Sequence, residues 1–417
     1  MTIDVKPIAL FAFVLALVPW LSFGLNSMDL QPWAGLFFFV AFVFWRSDLN
    51  ISRSMWAVFV VMMLGFSVGL LASNTVFTFY AARMLYAVLS FFLIVVVFQK
   101  YVSAYGYPLQ TLIVVNLIWI VVGLLEVFYP QFGSLFSAHR TNSVRGVTSL
   151  SAEPSFFGMH LFFMSWLLYL FGYKPRHQWF NMHVLNVFAI FVLAKSSLTI
   201  LFLMIGFSFY FLFQMIRGDL KTRIFLVAFA SCSLLFFVYA AVIGFSGTEI
   251  RPLQLVDRTF ERGLLIFFFD NSLNARLQAI VLSLQASVSM NYLLPGGFDT
   301  FLDSQNALLT SWNGFFKNIG AANYIMSWMG EYVYYFGVFG MVFIGYFLFG
   351  SLNGTLRRFF EISFLLILLI SAIPSSYPLI PLIVASYWYN NSIEKLNPNS
   401  STKPIATKPS VAPAINS

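Results

Sequence analysis

The chain has 417 residues, 60% of them hydrophobic and only 9% charged, with a net charge of +8 and a mean hydropathy of +0.83. That excludes a water-soluble globule, which needs a charged exterior, and the spread of basic residues over short segments argues against a nucleic-acid partner. Continuous apolar runs of about twenty residues exclude a barrel, whose strands alternate over roughly ten, so the expected fold is an all-α polytopic integral membrane protein.

About twelve spans are predicted. They lie near residues 7–25, 32–45, 54–73, 76–98, 107–128, 154–173, 182–194, 197–215, 224–244, 324–349, 359–374 and 378–390. Pro19-Trp20 within the first run, and the lack of a small-residue cleavage site, favour an uncleaved helix over a signal peptide. The single cysteine, Cys232, lies in an apolar run, so no intrachain disulfide can form. Lys195-Ser196-Ser197 splits the run 182–215, because a lysine between two apolar halves needs water or a partner.

With the N-terminus inside and the spans alternating, the inside segments carry about fourteen of the 23 basic residues. The short outside segments hold only Arg140, Arg145 and Lys195. Both termini are therefore expected in the cytoplasm. A transmembrane domain over 1–391 is followed by a tail, 392–417, whose Pro, Ser, Thr and Lys read as disordered.

Two outside segments exceed a turn. One is Tyr129–Glu153. The other, near 246–322, is too long for a connector and therefore reads as functional. Within it, Leu277, Ile280, Val281, Leu284 and Val288 recur at helical spacing and predict an amphipathic helix over Asn274–Met290, lying on the membrane surface. Pro295-Gly296-Gly297 then marks a turn.

Ionisable residues inside the spans gather in the outer half: Arg83, Glu126, His160, Lys195 and Glu331. The inner half has only Glu361 and His183, at its rim. The pattern suggests one polar cavity open to the outside. Each residue also has a plainer account. Arg83 and Glu126 would form a structural ion pair, His160 would be a hydrogen-bonded core histidine, and Glu331 an interfacial residue. Against the last, Gly330 and the tyrosines Tyr332, Tyr334 and Tyr335 would line a pocket. In the run His139–Ser155, Pro154 suits the first turn of a helix, with Ser151 or Glu153 as its cap. Alternatively, Arg140, Arg145 and Glu153 stand over a helix N-terminus, an arrangement suited to anions. The planar arginine fork takes phosphate oxygens in pairs.

Arg145-Gly146 through Glu153-Pro154-Ser155, followed by a span, resembles the Arg-Gly…Glu-Pro-Ser motif of O-antigen and capsule repeat-unit polymerases (the Wzy family), relatives of the O-antigen ligases. Lys195-Ser196-Ser197 resembles that family's Ser-Arg/Lys-Ser/Thr turn. Asn274-Ala275-Arg276…Leu293-Leu294-Pro295-Gly296-Gly297-Phe298 resembles its long outer loop, and Glu331…Phe336-Gly337-Val338-Phe339-Gly340 the span after it. The match runs in order over roughly 129–345. One departure is that the ligases carry a histidine before that span, whereas none lies between Ser246 and Gly337 here. This counts against a ligase and leaves the general base unassigned.

The resemblance implies a metal- and cofactor-independent glycosyltransferase in the bacterial cytoplasmic (inner) membrane. It would polymerise polyprenyl-diphosphate-linked oligosaccharide repeat units at the outer face, with membrane lipid around it and a chain-length regulator protein as a candidate partner. It implies Arg145, Arg276, Lys195 and Arg140 as diphosphate ligands, and Glu153, then Glu331, as the catalytic carboxylate orienting or deprotonating the acceptor hydroxyl. The alternatives are a lipid-linked glycan flippase or transporter, an O-antigen ligase, or a non-catalytic scaffold. A flippase would be expected to have short loops and polar residues reaching the cytoplasmic half.

Overall fold

A computed structural model describes residues 4–22, 30–45, 49, 51–75, 78–132, 135, 146–175, 181–223, 271–312, 314–316 and 325–396. Among them the chain is all-helical. The helices are α1 (Lys6–Ala16), α2 (Trp33–Trp45), α3 (Arg53–Leu71), α4 (Phe79–Tyr105), α5 (Leu109–Phe128), α6 (Pro154–Leu170), α7 (Met182–Ala189), α8 (Ser197–Arg217), α9 (Asn271–Ser289), α10 (Phe301–Leu309), α11 (Trp328–Gly350), α12 (Leu356–Ile370) and α13 (Leu379–Leu396). Five of these, α3, α4, α5, α8 and α11, are long and apolar enough to cross a membrane, consistent with a helical membrane protein. The predicted span at 224–244 lies outside the described residues.

Helix α4 is the hub, buried along most of Ala87–Phe98, with α2 and α13 against it. Helix α3 packs on α11, and α6 on α8 and α13. The outer helices turn large apolar side chains away from the core, as Val114, Ile118 and Val121 do on α5 and Leu201, Met204 and Tyr210 on α8. In water such stripes would be an aggregation liability; in lipid they are the solvated face. Buried amides join helices where apolar packing alone would not specify register. Asn116 on α5 donates to Asn186 on α7 at 2.7 Å, and Asn186 donates to Ser165 on α6 at 2.7 Å.

The first helix is shorter than predicted. It ends at Ala16, because Pro19 biases the residue before it away from the helical region. The Leu17 carbonyl, past the helix end, accepts from the Trp119 indole and from His160, each at 2.9 Å. At the other end of the chain α13 runs on to Leu396, so residues 392–396 are helical rather than tail.

Helix α9 forms where expected, but its buried seam is not the apolar one. Asn274, Gln278, Leu282, Ser283, Ala286 and Ser287 are buried, on a helix that packs against α11 and α10. Leu277, Ile280, Val281 and Leu284 are only half-buried, and Val288 is exposed. Small residues permit close approach where a neighbouring helix, not water, supplies the contact. Ser283 thus lies directly over Gly330 of α11.

Candidate active site

Helix ends assigned to one face meet in two clusters. The first is built on loop 146–153. Val147 donates its N–H to the Leu193 carbonyl at 3.0 Å, and Gly146, at φ +116°, lies so close to the Ala194 carbonyl that a side chain there would collide. Those carbonyls belong to a π-helical turn, Ile190–Ala194, which ends in Lys195 with left-handed dihedrals (φ 48°, ψ 36°). Ser196 then caps α8 by accepting from the Thr199 N–H. The predicted break at the lysine is therefore present. The turn that ends in Lys195 thus packs its Leu193 and Ala194 backbone on Gly146-Val147.

Glu126 at the end of α5 anchors that segment. Its carboxylate accepts from the Thr148 N–H at 2.9 Å, the Thr148 hydroxyl at 3.1 Å and the Ser149 N–H at 2.6 Å. The expected Arg83–Glu126 ion pair is replaced by this backbone nest. Ser149, itself left-handed at φ 54°, donates its hydroxyl to the Trp119 carbonyl at 2.7 Å. Glu153 occupies the N-cap position of α6 but its side chain caps nothing; it accepts from the Ser155 hydroxyl at 3.1 Å. Ser151 is not the cap either, since its hydroxyl donates to the Thr148 and Glu153 carbonyls. Lys195 and Glu153 are both half-buried. Arg140 and Arg145 lie outside the described residues; Arg145 directly precedes Gly146.

The second cluster centres on Glu331. Its carboxylate takes Arg83 of α4 on one oxygen and the Ser375 N–H, at 3.2 Å, on the other. Arg83 is the fifth residue of α4, about 6 Å from its start, and Glu331 lies in the first turn of α11. Both sit nearer the helix ends than the predicted boundaries put them. Arg276, half-buried and already engaged, is on α9, the helix that packs over this turn.

His160 is fully buried, donating from Nε2 to the Leu17 carbonyl and accepting at Nδ1 from the Tyr377 hydroxyl at 2.8 Å. The carbonyl can only accept, which fixes the neutral tautomer. Trp20 and Trp119 close over the ring, with centroids at 5.5 and 4.3 Å. The plainer account of His160 holds.

The Pro295-Gly296-Gly297 turn docks into a break in α11. At Gly337 the helix bends, with φ 56° and ψ −136°, so Val338 cannot bond to the Tyr334 carbonyl. The turn satisfies both orphans: Val338 donates to Leu293 at 2.7 Å, and Gly296 donates to Tyr334 at 2.9 Å. Asp299 ties the same turn to the end of α3 by accepting from Asn74 and Thr75, each at 3.0 Å. Two of the segments singled out by resemblance are thus one interlocked unit, which sequence spacing alone could not reveal.

Asp299 yields a pH expectation. Burial raises its carboxyl, but the N–H of Asn74 and the hydroxyl and N–H of Thr75 outweigh that and hold it below the usual value. A depressed folded value means the clamp stabilises above about pH 4 and is lost as pH falls through the lower value. Hydrogen exchange of the 291–300 amides, corrected for intrinsic rates, should accelerate below about pH 4 in the native protein. Asp299→Asn should exchange faster already at neutral pH. Protection that does not change with pH would remove the clamp.

No family model, curated protein or solved structure matches the chain.

Proposed function

We propose that the protein polymerises polyprenyl-diphosphate-linked oligosaccharide repeat units by glycosyl transfer at the outer face of the bacterial cytoplasmic membrane. It does so with about twelve spans and both termini inside. The observation that supports this reading is the backbone contact of Gly146-Val147 with Leu193 and Ala194, which brings the turn ending in Lys195 against the segment that follows Arg145 in sequence. The leaving group, a lipid diphosphate, departs readily once its charge is neutralised, so cations and positioning do most of the work. Arg145, Arg276, Lys195 and Arg140 are the cations in this reading. Glu153, whose carboxylate accepts from the neighbouring Ser155 hydroxyl, orients the attacking sugar hydroxyl or takes its proton as the new glycosidic bond forms and the bond from the sugar to the diphosphate breaks.

Deleting the gene should leave single repeat units on the cell surface and abolish long chains, as read on glycan gels. Loss of all surface glycan, with precursor trapped inside, would favour the flippase. Unchanged chains would remove both readings.

The orientation is tested separately, in a Cys232→Ser background. Asn306 is exposed on α10, whereas Ser304 is buried and bonded to Tyr334, which makes Asn306 the usable probe. Asn306→Cys should react with an impermeant thiol reagent in spheroplasts, and Lys221→Cys only after the membrane is opened. The reverse pattern would invert the topology.

A further inference from the structure

We infer that Arg83 is a diphosphate ligand and that Glu331 is the residue that positions it. The identity of the lipid-linked ligand rests on the function proposed above; the anion site rests on the geometry alone.

The two members of the ion pair differ in accessibility. The Arg83 side chain keeps 24% of its surface, and that of Glu331 only 2%. Both Glu331 oxygens are engaged, one by Arg83 and one by the Ser375 N–H, so the carboxylate cannot turn to a sugar hydroxyl without abandoning the half-buried guanidinium. It is a poor general base and a good brace. A braced, partly open guanidinium can still present its planar fork to phosphate oxygens. The pair also lies at helix beginnings, where the positive end of α4 and a diphosphate headgroup would meet at similar depth.

A second observation points to a ligand at this place. Among the described residues the Tyr335 hydroxyl, one turn after Glu331 on the same face of α11, is buried without a hydrogen-bond partner, as are the Tyr332 hydroxyl and Trp328 indole, which stack on each other on the next face. The Tyr335 hydroxyl is within electrostatic reach of Arg83, Glu331 and Tyr80, and Tyr80 is one turn before Arg83 on α4. Unsatisfied buried donors are costly and concentrate where a missing group completes them. Donors, a braced arginine and the helix bearing Arg276 over the same turn suit a phosphate-bearing anion better than a neutral sugar.

The test uses the full-length protein in phosphatidylcholine nanodiscs, with geranylgeranyl diphosphate, inorganic pyrophosphate and geranylgeraniol as probes. The wild type should bind geranylgeranyl diphosphate, bind pyrophosphate more weakly, and ignore the alcohol. Pyrophosphate binding as tight as that of the lipid would instead mark a site for the free anion, with no recognition of the chain, and would overturn the lipid-diphosphate assignment. A paired replacement, Arg83→Met with Glu331→Leu, removes both charges together and so avoids a lone buried charge. It should melt close to wild type yet bind the lipid diphosphate about thirty-fold more weakly, while Arg83→Lys, which keeps the pair, should lose about ten-fold. Wild-type affinity in either variant, or equal binding of alcohol and diphosphate, overturns the assignment. If the paired replacement does not fold, Arg83→Lys alone decides. Binding that depends on Arg83 while gene deletion leaves glycan chains unchanged would keep the anion site and discard the polymerase. Chains that depend on the gene, with normal binding in the variants, would do the opposite.

Discussion

Gly337→Val should be among the most damaging single changes in the chain, lowering the melting temperature sharply and collapsing the yield of monodisperse protein. A β-branched residue is strained at φ 56°, and its Cβ would collide with the Leu293 carbonyl. Moving that carbonyl undoes the bonds that replace the broken helical one, leaving Val338 N–H and Tyr334 C=O unsatisfied. Orphaned backbone groups cost about 1–3 kcal/mol each, so a total near 4 kcal/mol or more is expected. Gly345→Val is the control on the same helix, since a side chain there meets only Phe349 at 3.7 Å. Size-exclusion profiles and melting curves of the two variants decide the matter. Similar behaviour would mean that the break in α11 is not held by the outer turn.

The second large effect is functional. Glu126→Leu should shorten or abolish polymer without touching substrate, because the carboxylate holds the Thr148 and Ser149 amides in place. Its loss takes the carboxylate acceptor from two buried N–H groups, at about 1–3 kcal/mol each, and loosens the segment that follows Arg145 in sequence. Glu126→Gln should be only partly better, since the amide offers one acceptor oxygen and points two donors at other donors. Arg145→Ala should match the loss of polymer with near-normal protein level, and Arg145→Lys should still lose roughly tens-fold, keeping charge but not the fork. Chain-length profiles scored against protein level are the measurement. Full-length chains from Glu126→Leu would show that loop 146–153 has no part in the reaction.

Much of the fold could be read from local pattern. The predicted runs at 32–45, 54–73, 107–128 and 197–215 became α2, α3, α5 and α8 within a few residues, because an uninterrupted apolar stretch needs no distant information to form a helix in lipid. The break at Lys195 was legible for the same local reason. Pairings were not. Arg83 and Glu331 are 248 residues apart, and nothing in either neighbourhood says that Glu126 would be claimed by backbone amides instead. The protein-facing side of α9 was not legible, because apolar spacing identifies the buried side of a helix only when water is the alternative. In an apolar surround the small and polar residues mark the packed side. His160 resembled a site residue by position, and only the partners on both of its ring nitrogens show it to be structural.

The Leu17 carbonyl also bears on how the chain must be assembled. It is synthesised 102 residues before Trp119 and 143 before His160, the two groups that satisfy it. His160 in turn waits a further 217 residues for Tyr377. The end of α1 must therefore wait for Trp119, and then for His160, with an acceptor that lipid cannot satisfy. The hydrogen-bonded chain from Leu17 through His160 is completed only when Tyr377 has been made, so ribosome-bound chains truncated before Tyr377 should already pack α1 on α2 yet leave the His160 ring less firmly held.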